Sequence, residues 1–364
     1  MCAMRIFLAL WFACAAVSAQ TPLRLAIAGL AHGHVDGFFR AVHNRTDVQV
    51  VGVFDPDAAL HNKYAQKYGL SSDIFFTDLG AMLDRVKPEA VATFTATYEH
   101  PMVVEACARR HIDVMMEKPL AVSMEAAHKI QQAAASSGIH VIVNYETTWY
   151  RSHGEMWNIF KEQHAAGNIV KMVAMDGHPG PKAIHVQPEF FSWLTDPTKN
   201  GAGALFDFGC YGANLMTWMM DNQRPNAVTA LTQTITPDIY PHVDDQATIL
   251  VQYPGAQGII QASWHWPYDR KDFEVYGEHG YAIAIHGNEL RVRIGQGAKE
   301  ETRTPGPRPP DEADSVSYLT AVVRGRIKPS GLSSLENNMI VTEILTAARE
   351  SARTGRTITL AGPR

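Results

Sequence analysis

The chain has 364 residues, 46% of them apolar, with 32 lysines and arginines against 37 acidic side chains and a formal charge of -5. That length exceeds one ordinary domain, so two domains are expected and a substantial core is readily built. The mild acidity leaves no basic field to gather phosphate backbones, and no block of like charge marks an interaction tail, which excludes nucleic acid as a partner.

The first twenty residues, MCAMRIFLALWFACAAVSAQ, carry one positive charge at Arg5, an apolar run from Ile6 to Val17 and small residues leading to Ala19. This layout is that of a secretory signal and predicts cleavage after Ala19, with export to the periplasm or the extracellular space. The run is shorter than the roughly 20 apolar residues that span a bilayer, so no stable membrane span is expected. Removing residues 1–19 takes Cys2 and Cys14 with it. Cys107 and Cys210 remain, too few for a disulfide framework.

Residues 20–144 read as a first domain. Strand candidates at Leu23 to Ala28, Val48 to Phe54, Ala90 to Thr95, Asp113 to Met116 and His140 to Val143 alternate with helical patterns at Val35 to His43, Ala58 to Tyr68, Leu79 to Arg85, Pro101 to Arg110 and Met124 to Ser136. This alternation implies crossover units and a doubly wound parallel sheet of the Rossmann α/β kind. Residues 145–330 read as an α+β domain, with consecutive strands from Ile169 to Ile294 forming a large, mostly antiparallel open sheet, and helices at Glu155 to Ala166 and Gly209 to Met220. The prolines of TRTPGPRPP, Thr302 to Pro310, predict an extended loop. A final helix, about Ser334 to Thr354 in the closing segment 331–364, is expected to pack back on the body.

The stretch Leu25 to Phe39, LAIAGLAHGHVDGFF, ends a strand in glycine and opens a helix, as a dinucleotide loop does. Gly29 fills the first glycine position, Ala31 the second and His34 the third, with Gly33 and Gly37 nearby to supply flexibility. Amides at a helix N-terminus still favour an anion there. Asp55, 26 residues after Gly29, ends the second strand and is the candidate for the adenosine ribose hydroxyls. No arginine follows it to take a 2′-phosphate, so NAD is preferred to NADP. His32 and His34 invite a metal reading, but zinc wants three or four ligands and no further donors accompany the pair nearby. No metal is expected, and a place beside the cofactor is preferred for both.

VMMEKPLAVSMEAA places Glu117-Lys118-Pro119 at a strand end before a helix, and this resembles the E-K-P motif of the glucose-fructose oxidoreductase, inositol dehydrogenase and MocA family (Gfo/Idh/MocA). AVATFTATYEHPMVVEACARRHIDV is similar to that family's fourth strand and following helix, with Thr95 and His100 in the family's places. NGAGALFDFGCYGANLM is similar to its second-domain motif and puts Asp207 and Tyr211 one helical turn apart. The resemblance implies an NAD(P)-dependent oxidoreductase acting on CH-OH groups of a sugar or polyol, with Lys118, Tyr211 and Asp207 catalytic, and Glu117, Lys118, Thr95 and His100 at the cofactor. Trp149, Tyr150, His178, Asn214 and His265 are candidates for the substrate. It also implies a homo-oligomer, dimer or tetramer, through the open sheet. Tyr211 serves as base only if a cation lowers its pKa from near 10, a task for Lys118. Asp207 then orients Lys118 or holds a second hydroxyl. Two alternatives stay open: a glycosidase that oxidises the ring transiently and eliminates the aglycone, and a carbohydrate-binding protein that has lost the cofactor.

Overall fold

The computed structural model describes residues 21–360, so the expected secretory signal lies outside the described residues. Among them, no helix is long and apolar enough to cross a membrane.

The first domain alternates as its apolar runs dictate: β1 (Leu23–Ala28), α1 (Val35–His43), β2 (Val48–Phe54), α2 (Ala58–Tyr68), β3 (Phe75–Phe76), α3 (Leu79–Val86), β4 (Ala90–Thr93), α4 (His100–Ala108), β5 (Asp113–Glu117), α5 (Met124–Ser137) and β6 (Val141–Asn144). The sheet order is β3-β2-β1-β4-β5-β6, and every pairing in it is parallel. Strand order reverses between β1 and β4, so their carboxyl ends open the crevice where such sheets bind ligands. Asp57, Asp78 and Ser123 cap α2, α3 and α5 with side-chain oxygens on the first-turn amides.

The second domain runs α6 (Arg151–Trp157), β7 (Ile169–Gly177), α7 (Pro188–Leu194), α8 (Pro197–Asn200), α9 (Ala204–Asp207), α10 (Gly209–Met219), β8 (Ala227–Gln233), β9 (Gln246–Gln252), β10 (Gln257–Ser263), β11 (Arg270–Gly277), β12 (Gly280–Ile285), β13 (Glu289–Ile294) and β14 (Glu301–Arg303). After α11 (Ser315–Val323) and α12 (Leu335–Thr354), β15 (Ile358–Thr359) closes the sheet at β8. The nine strands are ordered β14-β13-β12-β11-β7-β10-β9-β8-β15. The pairing of β7 with β10 is parallel amid antiparallel neighbours, so both strands end at the same edge, carrying Gly177 and Ser263 side by side. Trp264, the residue after Ser263, donates to Asp207, which in turn meets Lys118 of the first domain.

Three expectations change. The helix anticipated at Glu155 begins earlier, as α6, and passes into a π turn at Asn158–Glu162. Thr302 lies in the short edge strand β14 rather than in loop. Most consequentially, α11 packs Val316, Leu319 and Val322 into one core with Leu25, Ile27, Phe38 and Phe94. Residues assigned to the second domain up to 330 thus complete the first. Cys107 and Cys210 are buried free thiols.

Candidate active site

Gly29 adopts a φ of +91°, and a Cβ there would lie 2.5 Å from the Thr95 amide nitrogen, so only glycine makes this turn. Thr95 therefore packs beneath the loop, its Oγ1 3.1 Å from that of Thr93. The carboxylate of Asp55 reaches the same loop. One oxygen accepts from the Leu30 N–H at 2.7 Å and the other from the Asp57 N–H at 2.8 Å. Each keeps a lone pair for a ribose hydroxyl, while burial raises its pKa. Among the described residues, the Ala31 and Gly33 amides take no hydrogen-bond partner, which leaves two donors for a pyrophosphate. The turn, the two open amides and the Asp55 carboxylate together fit a dinucleotide.

Helix α7 closes over this loop. Its Phe190 and Trp193 rings lie 4.7 and 5.4 Å from that of His32. Trp193 Nε1 donates to the Ala31 carbonyl at 3.3 Å, and Lys63 of α2 pairs with Glu189 at 2.5 Å. Burial, then His34 and Lys118, keep His32 well below the usual histidine pKa.

At the end of β5, Glu117 and Lys118 turn in different directions. Glu117 Oε2 meets His34 Nδ1 at 2.9 Å, and its Oε1 accepts from Asn144 Nδ2 at 2.8 Å. Burial opposes the charge on Glu117, but His34 and Asn144 outweigh it and hold the carboxyl below its usual range. Lys118 crosses to the second domain. Its Nζ donates to Asp207 Oδ1 at 2.5 Å and to the Asp207 carbonyl at 2.9 Å, while Trp264 Nε1 donates to Asp207 Oδ2 at 2.9 Å. Burial works against both charges, yet each prevails over it for the other: Lys118 is raised and Asp207 lowered. The Lys118–Pro119 peptide bond is cis.

Tyr211 does not meet the condition set for a base. Burial, followed by the nearby carboxylate of Glu146, pushes its pKa well above 10. The Lys118 ammonium sits 5.0 Å over its ring, and that of Lys271 lies 5.5 Å from the ring centre. The ring lies near two ammonium groups, and the raised pKa keeps the phenol protonated at neutral pH.

The substrate candidates divide. His178 stands at the site, its ring edge-on to Phe208 at 4.7 Å, with Nδ1 accepting the Gly180 amide at 2.9 Å. Tyr150 donates to Glu146 at 2.6 Å, and Glu146 pairs with Lys271 at 2.6 Å. Trp149 donates through Nε1 to Asn144 Oδ1 at 2.9 Å, so it holds the group that holds Glu117. Asn214 must be withdrawn: fully buried, it donates to the Leu332 carbonyl and to Asn337 Oδ1, both at 2.8 Å, on the side of α12. His265 Nε2 lies 2.8 Å from Asp245 Oδ2 and so braces a loop. His100 is also fully enclosed, its Nδ1 donating to the Leu120 carbonyl at 3.1 Å, and burial lowers its pKa to about 4. It supports the E-K-P turn from behind.

Sequence reasoning missed Asp176 and Lys271. They face each other across β7 and β11, with Asp176 on the sheet face that α10 covers. Neither Asp176 oxygen has a partner in hydrogen-bond geometry. Burial raises its pKa well above the ordinary aspartate value, only partly offset by the Lys271 charge, and so shifts the carboxyl toward its protonated form. An aspartate ending the apolar strand IVKMVAMDG was the available signal.

A doubly wound domain bearing such a loop, set against a lysine–aspartate centre on an open sheet, defines a two-domain nucleotide-dependent oxidoreductase. Residues 23–145 match the oxidoreductase family with NAD-binding Rossmann fold, and residues 160–283 match the GFO/IDH/MocA C-terminal domain. The chain belongs to the Gfo/Idh/MocA oxidoreductase family. It is 23% identical over 318 residues to the rhizopine catabolism protein MocA of Rhizobium meliloti, covering 83% of this chain and 93% of that one. To trans-1,2-dihydrobenzene-1,2-diol dehydrogenase of Xenopus laevis it is 22% identical, covering 84% and 90%. Among solved structures, an inositol dehydrogenase homolog from Azotobacter vinelandii complexed with NAD+ superposes with a TM-score of 0.80 at 19% identity, covering 94% of this chain and 98% of that one. Aldose-aldose oxidoreductase from Caulobacter crescentus, complexed with glycerol, gives 0.78 at 20% identity, covering 93% and 100%.

Proposed function

We propose that this protein is an exported, NAD-dependent oxidoreductase that moves hydride between the nicotinamide and a hydroxyl-bearing carbon of a sugar or polyol. The observation that carries this reading is the buried Lys118–Asp207 pair beside the Tyr211 ring. NAD, when bound, supplies the hydride acceptor or donor. Gly29 and the amides of Ala31 and Gly33 would hold its pyrophosphate, and Glu117 would lie at its nicotinamide end. Asp55 favours NAD over NADP, because a buried carboxylate repels a 2′-phosphate.

Lys118 is the proton-transfer group in this reading. In the reducing direction its ammonium donates a proton to the carbonyl oxygen as hydride arrives at the carbon. In the oxidising direction the same path runs backwards, the substrate hydroxyl proton passing to the Lys118 amine as hydride leaves the carbon, with Asp207 holding the resulting ammonium. His178 and Tyr150 orient further hydroxyls. Relatives named as a dihydrodiol dehydrogenase and a 1,5-anhydro-D-fructose reductase support a polyhydroxylated substrate.

A redox-neutral variant, with transient ring oxidation and elimination of an aglycone, needs an acid that stays protonated at neutral pH. Asp176 favours it. A second copy of the chain would cover the outer face of the large sheet, where Leu250 and Ile259 are cross-strand neighbours and Leu231 is 73% exposed.

The test is mass spectrometry of nucleotide released from the heat-denatured protein, together with NAD and NADP titration of the nucleotide-free protein. Release or binding of NAD, and its reduction on adding aldoses or polyols, is the expected result. A folded protein that neither holds nor binds NAD refutes the reading and leaves a sugar-binding role.

A further inference from the structure

We infer that His32, His34 and Glu117 form a binding site for one divalent transition-metal ion, zinc or a close neighbour in size, at the inner wall of the cleft. The three side chains each offer a donor atom, and those atoms all lie within 4.8 Å of one another. His34 Nδ1 and Glu117 Oε2 are 2.9 Å apart. Two ligands of a tetrahedral zinc with bonds of roughly 2.0–2.1 Å sit about 3.3 Å from each other. For this pair, an ion replacing the shared proton asks for an outward shift of only a few tenths of an ångström, while the His32 donor, within 4.8 Å of the other two, closes in by up to about 1.5 Å through a turn of its ring.

The donors are also held as metal ligands are held. Glu117 is oriented by Asn144, itself fixed by Trp149, and a ligand's own hydrogen-bond partners are what aim it at the ion. The His32 ring is clamped against Phe190 and Trp193, which walls off one side with apolar surface. His32 Nδ1 accepts the His34 amide at 3.1 Å, so coordination through that atom exchanges one neutral hydrogen bond for a coordinate bond. Two imidazoles and one carboxylate suit zinc, cobalt or nickel better than magnesium or calcium, which favour oxygen alone. Three protein ligands leave a fourth position, and the His34 side chain, 46% exposed, opens it to the cleft. That is the form of a site that takes water or a ligand oxygen, rather than a closed structural site.

The test uses the full mature chain, dialysed against chelator and kept free of nucleotide, so a failure to bind NAD leaves its result intact. Zinc is titrated in competition with a chromophoric chelator, cobalt uptake is followed by visible absorption, and metal content is measured by mass spectrometry. One ion per chain is expected. His34→Ala, at a half-exposed side chain, and Glu117→Gln, close in shape to the native residue, should each weaken zinc binding by about 100-fold or more while circular dichroism stays unchanged. The inference is overturned if the wild-type chain takes up none of zinc, cobalt or nickel, or if a folded variant binds zinc within about threefold of it.

Discussion

Replacing Asp207 by asparagine tests the centre of the site most directly. The ammonium of Lys118 lies 2.5 Å from Asp207 Oδ1 with both side chains buried. At an effective dielectric of 20 their gross attraction is on the order of 6–7 kcal/mol, and desolvation of both groups cancels much of it. Removing one partner leaves the other charge buried and alone, so Asp207→Asn should cost about 3–5 kcal/mol at pH 7. Lys118→Met should cost a similar amount. The double variant has no charge to strand, and its asparagine can still accept from Trp264, so it should return to within about 1–2 kcal/mol of the wild type. The coupling energy from denaturant unfolding of the four proteins should then be about 3 kcal/mol or more. It should be flat across neutral pH. The raised Lys118 pKa makes its share vanish only as pH climbs above the usual lysine range, and the lowered Asp207 pKa makes its share vanish only as pH falls below the usual carboxylate range. Additive single effects, with coupling under about 0.5 kcal/mol, would refute the pair as the organising contact.

Turnover should separate the two residues once considered for proton transfer: Lys118→Met should lower kcat by about 10²–10⁴-fold, whereas Tyr211→Phe should stay within about tenfold of wild type. A Tyr211→Phe variant as dead as Lys118→Met would restore the phenol as base. Trp264→Phe removes the donor to Asp207 Oδ2 in a dry setting and should cost about 1–3 kcal/mol in chemical unfolding; no loss would mean that water or a rotated group replaces it. Gly29→Ala places a methyl 2.5 Å from Thr95 N at positive φ, so thermal unfolding should come at a lower temperature and NAD titration should show weakened binding. Glu89 pairs with Arg324 across the join of β4 and α11 and accepts from the Arg24 amide; burial opposes its charge, but these two partners outweigh it and hold its pKa down. Glu89→Gln should therefore cost up to about 1 kcal/mol at neutral pH, a penalty that fades as pH drops through the lowered Glu89 value and the native carboxylate is itself protonated.

The first domain was legible because its strands are buried on both faces and read as plain apolar runs, while its helices keep one polar side. Helix α11 was not, because SVSYLTAVV is apolar nearly all round and follows a proline-rich stretch, so no periodicity separates it from loop. Lys118 and Asp207 could be paired from their motifs. The state of the Tyr211 hydroxyl could not, since it depends on how much water the packed sheet excludes. Asn214 shares a helix with Tyr211, but its amide turns the other way, donating to the Leu332 carbonyl just before α12 and to Asn337 on that helix. The contact of His34 with Glu117 joins positions 83 residues apart. It follows from β4 lying between β1 and β5 in the sheet, an order that no local spacing reveals.

The Lys118–Asp207 contact has a mechanical side as well. Lys118 follows β5 of the first domain and Asp207 ends α9 of the second, so this contact is also a latch between the two domains. Nearby struts share the load: Arg349 of α12 donates to the carbonyls of Val122 and Gly201, and Tyr145 donates to Asn338. Swinging the domains apart would pull a desolvated ion pair into two halves and leave each charge without its partner. Under the proposed function, parting the domains and moving Lys118 are one motion, so any opening of the cleft also displaces the group assigned to proton transfer.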